Sequence, residues 1–183
     1  MYWLYFQRQS DLFTRQSRVL HVAPEECVER RLRALPNLDY VTVDLLRDDV
    51  DLKLDVTNLD LPDNSFDVVL CSHVLEHVFD DRLAMRELLR ITRPSGWAIL
   101  ATPTRESLAD TYEDWSITDP AGRMAAFGQD DHVRAYGRNF ANILSEEGWD
   151  VEVRPLVLSD DEARRYGAPE RHQRIYLGRP RLV

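Results

Sequence analysis

Three stretches of this chain carry residues able to do chemistry. The first is Ser-Phe-Asp-Val-Val-Leu-Cys-Ser-His-Val-Leu-Glu-His, residues 65–77. Its apolar run Phe66 to Leu70 suits a strand covered on both faces, which leaves Cys71, Ser72 and His73 at the carboxyl edge, where open α/β sheets bind ligands. The second is Asp44, roughly 20 residues beyond the segment Leu20-His21-Val22, where a carboxylate can take the hydroxyls of a ribose. The third is Gln129-Asp130-Asp131-His132-Val133-Arg134-Ala135-Tyr136, in which an acid beside a histidine can fix the ring's tautomer and raise its basicity. Each has a plainer alternative. Ser72 can cap the next helix while His73 and His77 satisfy backbone groups, Asp44 can cap a strand end, and residues 129–136 can be a solvated loop.

Positioning such residues takes a regular framework. Arg18 to Ala23 reads as a first strand, and Pro24 to Leu35 as a helix with Val28, Leu32 and Leu35 on one face and proline in its first turn. Asn37 to Asp44 forms a second strand, and Val50, Leu52, Leu54 and Val56 alternate with polar residues as a third. Too few residues separate these two strands for a crossover helix. Leu61-Pro62-Asp63-Asn64 turns into the fourth strand, Asp80 to Thr92 is a helix with Ala84, Leu88 and Ile91 in one stripe, and Trp97 to Thr102 is a fifth strand. Met1 to Phe13 reads as an apolar helix. Residues 103–138 are irregular apart from a short helix opened by Thr118-Asp119-Pro120 and stopped at Gly128. The aromatics Tyr112, Trp115, Phe127 and Tyr136 favour an ordered cover there. Asn139 to Glu147 is a further helix ended by Gly148, and Asp150 to Leu156 and Arg174 to Gly178 are late strands. The expected class is α/β: a doubly wound, mostly parallel seven-stranded sheet with a cover segment after strand five. One domain is expected over residues 1–183, residues 1–17 holding the first helix.

The phrase Phe66 to His77, followed by Arg93-Pro94-Ser95-Gly96-Trp97-Ala98-Ile99-Leu100, resembles the fourth strand with its turn and the opening of the fifth in the class I S-adenosylmethionine-dependent methyltransferases. Val19-Leu20-His21-Val22-Ala23-Pro24-Glu25 and Phe127 to Gly137 look like a bacterial subgroup of that superfamily. The resemblance covers essentially the whole chain. It implies a Rossmann-like methyltransferase fold with an antiparallel last strand, S-adenosyl-L-methionine as cofactor and S-adenosyl-L-homocysteine as product. By position it implies that Asp44 holds the ribose, that Asp55 accepts from the adenine amino group with the Val56 amide beside the ring, and that Ser72 and His73 flank the methionine moiety. A turn-forming Asp55 is the alternative. Glu76 and His77 are expected to orient the following helix. The resemblance also places residues 129–136 beside the cofactor, with His132 as the base for the acceptor's proton. Asp131 or Asp130 would orient it, His73 stands in reserve, and Arg134 or Tyr136 would grip the substrate.

One departure stands out: Ala23-Pro24-Glu25-Glu26-Cys27 replaces the usual Gly-x-Gly-x-Gly. Without glycine the backbone loses cheap access to positive φ and close approach to a ligand, and Pro24 removes a donor. A pyrophosphate would be badly served, whereas Glu25 could meet the positive groups of S-adenosylmethionine.

Composition narrows the function classes. A net charge of −9 argues against nucleic-acid or anionic-membrane partners. The 2 cysteines, Cys27 and Cys71, form neither a metal knuckle nor a disulfide framework, so no metal is expected and a reducing cytoplasm is the simplest home. No apolar run approaches the ~20 residues of a membrane span. The expected activity is methyl transfer to an oxygen or nitrogen of a small molecule, a sugar or secondary metabolite. A non-catalytic cofactor- or nucleoside-binding relative is the alternative that the lost glycines suggest. A nicotinamide dehydrogenase would need the glycine turn this chain lacks. The oligomeric state stays open.

Overall fold

The computed structural model describes residues 2–166 and 172–181. Met1, the expected first helical residue, and Val183, the expected domain limit, lie outside the described residues. The central strands β1 (Ser17–Val22), β4 (Phe66–Ser72) and β5 (Thr92–Ala101) carry apolar side chains at both parities. Val19, Val68 and Ile99 therefore face one layer, and Leu20, Val69 and Leu100 the other. With β2 (Leu38–Asp44), β3 (Leu52–Lys53), β8 (Trp149–Val157) and β9 (His172–Pro180) they form a 7-stranded sheet in the order β3-β2-β1-β4-β5-β9-β8. Strand β9 is antiparallel to both β5 and β8, as the family resemblance implied.

Helices α1 (Tyr2–Gln9) and α2 (Glu26–Arg33) cover one face of the sheet, burying Leu4, Phe6, Val28 and Leu32. Helices α3 (Asp81–Ile91) and α5 (Phe140–Glu146) cover the other with Ala84, Leu88, Phe140 and Ile143. The cover segment holds α4 (Pro120–Phe127) and a two-stranded sheet of β6 (Tyr112–Glu113) and β7 (Arg134–Ala135). Asp119 caps α4 by accepting from the Gly122 amide at 2.9 Å, and Gly128 ends it at φ 98°, a conformation that glycine adopts without strain.

Several boundaries moved for identifiable reasons. The third strand is only Leu52–Lys53, not Val50 to Val56, because the Asp51 carboxylate takes the Thr42 amide (2.9 Å) that a longer strand would pair. At its other end Asp55 turns the chain, accepting from the Thr57 amide at 2.8 Å. Strand β5 starts at Thr92 rather than Trp97, and a register shift between Phe66 and Val68 absorbs the extra residues. Gly96 is needed there, since a Cβ would stand 2.7 Å from the Asp67 carbonyl oxygen. Helix α1 stops at Gln9 short of Phe13, with the Ser10 hydroxyl bonded back to the Phe6 carbonyl at 3.0 Å. The sequence reading passed over α6 (Asp160–Tyr166), although Ser159 and Glu162 form a reciprocal capping box, each side chain accepting from the other's amide.

The amino ends of the central strands are latched by Asp67, whose carboxylate accepts from the Arg18 amide at 2.8 Å and the Arg93 guanidinium at 2.7 Å. Burial pushes this carboxyl up, but the two donors outweigh it and hold it below its ordinary range. A lowered folded pKa contributes stability above the unfolded pKa near 4, and that stability is lost as pH falls through the folded value. Asp67→Asn should therefore destabilise the protein by about 1 kcal/mol at pH 7 and flatten the fall in Tm below pH 4, as followed by circular dichroism.

Candidate functional site

The parallel register brings Val22, Val43 and Cys71 level, so β1, β2 and β4 end together at one sheet edge. Beyond that edge lies a cavity of about 710 Å³. Of the residues expected at the site, Ala23, Asp44, Asp55, Val56, His73 and Asp131 line it. The remaining wall is largely apolar, with Leu45, Leu46, Leu54, Phe79 and Leu83. Leu46 and Phe79 are 82% and 64% exposed, an arrangement that waits for an apolar ligand surface. The charges lining the cavity are the carboxylates Asp44, Asp55, Asp80 and Asp131, with no Lys or Arg among the described residues. A second cavity of about 610 Å³ shares Phe79 and Asp80 and is bordered by Glu113 and Trp115.

Two strand ends at this edge are strained. Ala23 has φ 47° and His73 φ 54°, left-handed values that cost a residue with a Cβ roughly 1–2 kcal/mol. Both amides still continue the sheet, Ala23 donating to the Val43 carbonyl (2.8 Å) and His73 to that of Ala101 (2.9 Å). The chain turns only afterwards. Asp44 proves to be both a cap and a wall residue: its Oδ1 accepts from the amides of Leu46 (2.7 Å) and Arg47 (2.9 Å). Among the described residues no hydrogen bond reaches its Oδ2. Asp55 is built alike, its Oδ1 taking the Thr57 amide and hydroxyl.

Glu25 and Ser72 lie off the cavity wall, which corrects their expected contact with it. Glu25 accepts from His21 Nε2 at 2.9 Å, and His21 Nδ1 meets the Tyr40 hydroxyl at 2.7 Å. Burial would raise the Glu25 carboxyl, yet the bonds from His21 and Ser72 take it below its usual value and keep it ionised. With its carboxylate turned to His21, Glu25 leaves α2 without a side-chain cap, and the helix starts at Glu26 rather than Pro24. The Ser72 hydroxyl pairs with that of Tyr2 in α1 at 2.6 Å. Nor does Ser72 cap α3, a task done by Asp80 accepting from the Leu83 amide at 2.9 Å. Sequence reasoning missed His21; its spacing of four residues from Glu25 was the available signal.

The third stretch needs more correction. Arg134, only 1% exposed, borders the second cavity but commits its guanidinium to the protein: Nη1 donates to the Leu75 carbonyl (2.9 Å) and to that of Val78, Nη2 to Phe79 (2.9 Å), and Nε to Glu113. Tyr136 is fully buried and donates its hydroxyl to Asp81. Burial pushes the Asp81 carboxyl above its usual range. His132 is 5% exposed and does not line the cavity where it was expected to meet the acceptor. Its expected partner Asp131 faces His77 Nδ1 instead, at 3.3 Å. Burial and the neighbouring His77 hold the His132 imidazole below its ordinary pKa. His73 and His77 are the imidazoles on the cavity wall, and His73 Nδ1 stands 3.4 Å from Glu76 Oε1, a neighbour that raises its pKa. Asp130 is exposed and does not line the cavity.

Residues 27–100 match the family model of a methyltransferase domain. The chain is 31% identical over 129 residues to an uncharacterised 37.1 kDa protein in transposon TN4556 of Streptomyces fradiae, a match that covers 69% of this chain and 34% of that protein. It is 43% identical over 142 residues to the demethylmenaquinone methyltransferase of Paenarthrobacter aurescens (strain TC1), covering 69% of this chain and 56% of that enzyme. The chain thus spans between about a third and just over half the length of these curated relatives. Among solved structures, the Burkholderia thailandensis 1,6-didemethyltoxoflavin-N1-methyltransferase with bound 1,6-didemethyltoxoflavin and S-adenosylhomocysteine shares the fold. The TM-score is 0.61 at 15% identity, over 92% of this chain and 72% of that one.

Because Arg134 satisfies three carbonyls from a buried position, Arg134→Ala would strand them together with the carboxylates of Asp81 and Glu113. Thermal or urea unfolding should show a loss of about 3–5 kcal/mol. Arg134→Lys should recover little of it, since a single ammonium cannot reproduce the fork. A loss below about 1 kcal/mol in the alanine variant would rule out the clamp.

Proposed function

We infer from its matched methyltransferase domain and its fold that the chain is a class I S-adenosylmethionine-dependent methyltransferase, and we propose that it transfers a methyl group to an oxygen or nitrogen of a small molecule. The observation that carries this reading is the donor set of the cavity at the sheet edge: four carboxylates and two imidazoles, no lysine or arginine among the described residues, and apolar walls. A phosphate-bearing cofactor would be repelled there, whereas S-adenosylmethionine carries a sulfonium and an ammonium and no phosphate. The volume of about 710 Å³ falls in the usual range for such ligands. When bound, the cofactor supplies an electrophilic methyl group on sulfur.

The protein's own residues then position and exclude. In our reading Asp44 offers Oδ2 to the ribose, Leu45, Leu46 and Val56 flank the adenine, and Asp55 takes its amino group. Ala23 and His73 supply the turned backbone at the methionine end, with the ionised Glu25 beneath as a fixed negative charge. The acceptor enters from the side of Trp115 and Glu113, and His73, which lines the cavity, is placed to take its proton. Sugars and secondary metabolites remain the acceptor classes we favour. The loss of the glycines, which had made a non-catalytic relative a rival, is answered by Ala23: with the smallest possible Cβ, it takes the left-handed turn itself. Two free cysteines suit a reducing compartment such as the cytoplasm. No helix of the described residues is long and apolar enough to cross a membrane.

Two measurements check this reading. Asp44→Asn keeps an acceptor for the Leu46 and Arg47 amides but loses the charge. The Kd for S-adenosylhomocysteine should rise roughly 10- to 100-fold by calorimetry while Tm changes by only a few degrees, and an unchanged Kd would exclude Asp44 from the site. His73→Asn, a substitution that tolerates the left-handed backbone, should lower turnover about 10²- to 10⁴-fold with S-adenosylhomocysteine affinity held within a few-fold. Full turnover in that variant would leave positioning alone to account for the reaction.

A further inference from the structure

Glu76, His77 and His132 carry no step of the proposed methyl transfer, yet each has a ligand atom left over. Glu76, 2% exposed, accepts from the Thr102 hydroxyl at 3.0 Å on Oε2, while Oε1 has no hydrogen bond. His73 Nδ1, its nearest cationic neighbour, stands 3.4 Å off. The His132 ring is 5% exposed, and its buried Nε2 has no partner. His77 Nδ1 faces Asp131, leaving Nε2 for another use. One ligand atom from each of the three lies within 4.8 Å of the others, and the two imidazoles are 4.7 Å apart between centroids at 87°.

A buried carboxylate oxygen or imidazole nitrogen without a hydrogen bond costs about 1–3 kcal/mol, and two such atoms in one cluster of three ligating residues point to a shared missing partner. We propose that Glu76, His77 and His132 bind a divalent transition-metal ion of the zinc type. Two imidazoles and one carboxylate form a borderline donor set that suits such ions and disfavours calcium or magnesium. Three protein ligands also leave a position open, the pattern of catalytic rather than structural sites. Two of the ligands have behind them the partners that metal sites use to orient them, the Asp131 carboxylate behind His77 and the Thr102 hydroxyl behind Glu76. Ligand atoms around an ion with bonds of about 2.0–2.2 Å stand roughly 3–3.5 Å apart, so the cluster closes on binding. The half-exposed His77 is the ring with room to turn. The fold holds the halves together through the Val133 amide, which donates to the Glu76 carbonyl at 2.9 Å. Since His77 and Asp131 also line the large cavity, the ion borders it. If the methyl-transfer reading holds, on which this last step rests, its open position receives the acceptor's oxygen and lowers its pKa.

The test uses the whole chain after chelator treatment, titrated with Zn²⁺ in competition with a chromophoric chelator, with S-adenosylhomocysteine binding measured on the same samples. We expect one equivalent of Zn²⁺ bound by the wild type, roughly 100-fold weaker binding in Glu76→Gln and in His132→Ala, and no change in Cys27→Ser, which removes an exposed thiol. Glu76→Gln is close to isosteric and keeps an acceptor for Thr102, so it decides the matter even if His132→Ala unfolds by circular dichroism. No stoichiometric binding, equal affinity in Glu76→Gln, or loss on Cys27→Ser alone would overturn the site. Zinc bound without S-adenosylhomocysteine would remove the methyl-transfer reading and leave the metal site standing; the converse would remove only the metal.

Discussion

A guanidinium with almost no exposed surface has to find partners for its N–H groups inside the protein, and Arg134 finds three of them in the carbonyls of Leu75, Val78 and Phe79. Those carbonyls belong to the short 3-10 turn Leu75–His77 and the residues after it, which connect β4 to α3. Within the turn the Leu75 carbonyl receives only the long bond from the Val78 amide (3.3 Å), and burying such carbonyls unpaired would be costly. Arg134 removes that cost from the far end of the cover segment, and its charge is balanced by Asp81 at 3.5 Å and by Glu113. The cover is thereby fastened to the strand edge where the cavity opens. His77, Phe79, Asp80 and Asp131, on the two segments that this attachment joins, line the cavity wall.

Strain is concentrated at the same edge. Ala23 and His73 both adopt left-handed backbone at the ends of neighbouring strands, next to the cavity they line. Conformations of this kind persist where the surroundings over-determine them, and here each amide is held in the ladder while the next peptide turns away. Positioned in this way, the two ends open a space between β1 and β4 without a glycine-rich loop. The electrostatics follow the same logic. The acids of the wall and the ionised Glu25 beneath it give the region a negative potential that suits a cationic ligand, and the net charge of −9 extends that preference over the molecule.

Much of this was legible in the residues. Apolar side chains at both parities of β1, β4 and β5 require a sheet covered on two faces, because water on either face would meet valine, leucine or isoleucine. Short-range devices were equally readable: Asp119 before Pro120, Gly128 after α4, and Asp44 at the end of β2 act within a few residues of themselves, where spacing fixes geometry. The positions of Ala23, Asp44, Asp55, Val56 and His73 on one wall follow from a strand order that the family resemblance implied and a register set by the hydrophobic pattern.

The roles of His132, Arg134 and Tyr136 were decided elsewhere. Each acts on a group more than fifty residues away in the chain, Arg134 on Leu75 and Tyr136 on Asp81, with His132 meeting His77. A histidine flanked by aspartates looks the same in sequence whichever of them it contacts, and an arginine looks equally able to grip a ligand or a carbonyl. Side-chain direction after a β-turn or a 3-10 turn is set by packing, and only the folded chain brings those partners within reach. The sequence alone determined which strand ends would meet and which acids would stand there. The tertiary structure alone decided which polar side chains face the cavity and which are buried to hold its walls, because that choice is made by the desolvation of backbone groups that no local pattern records.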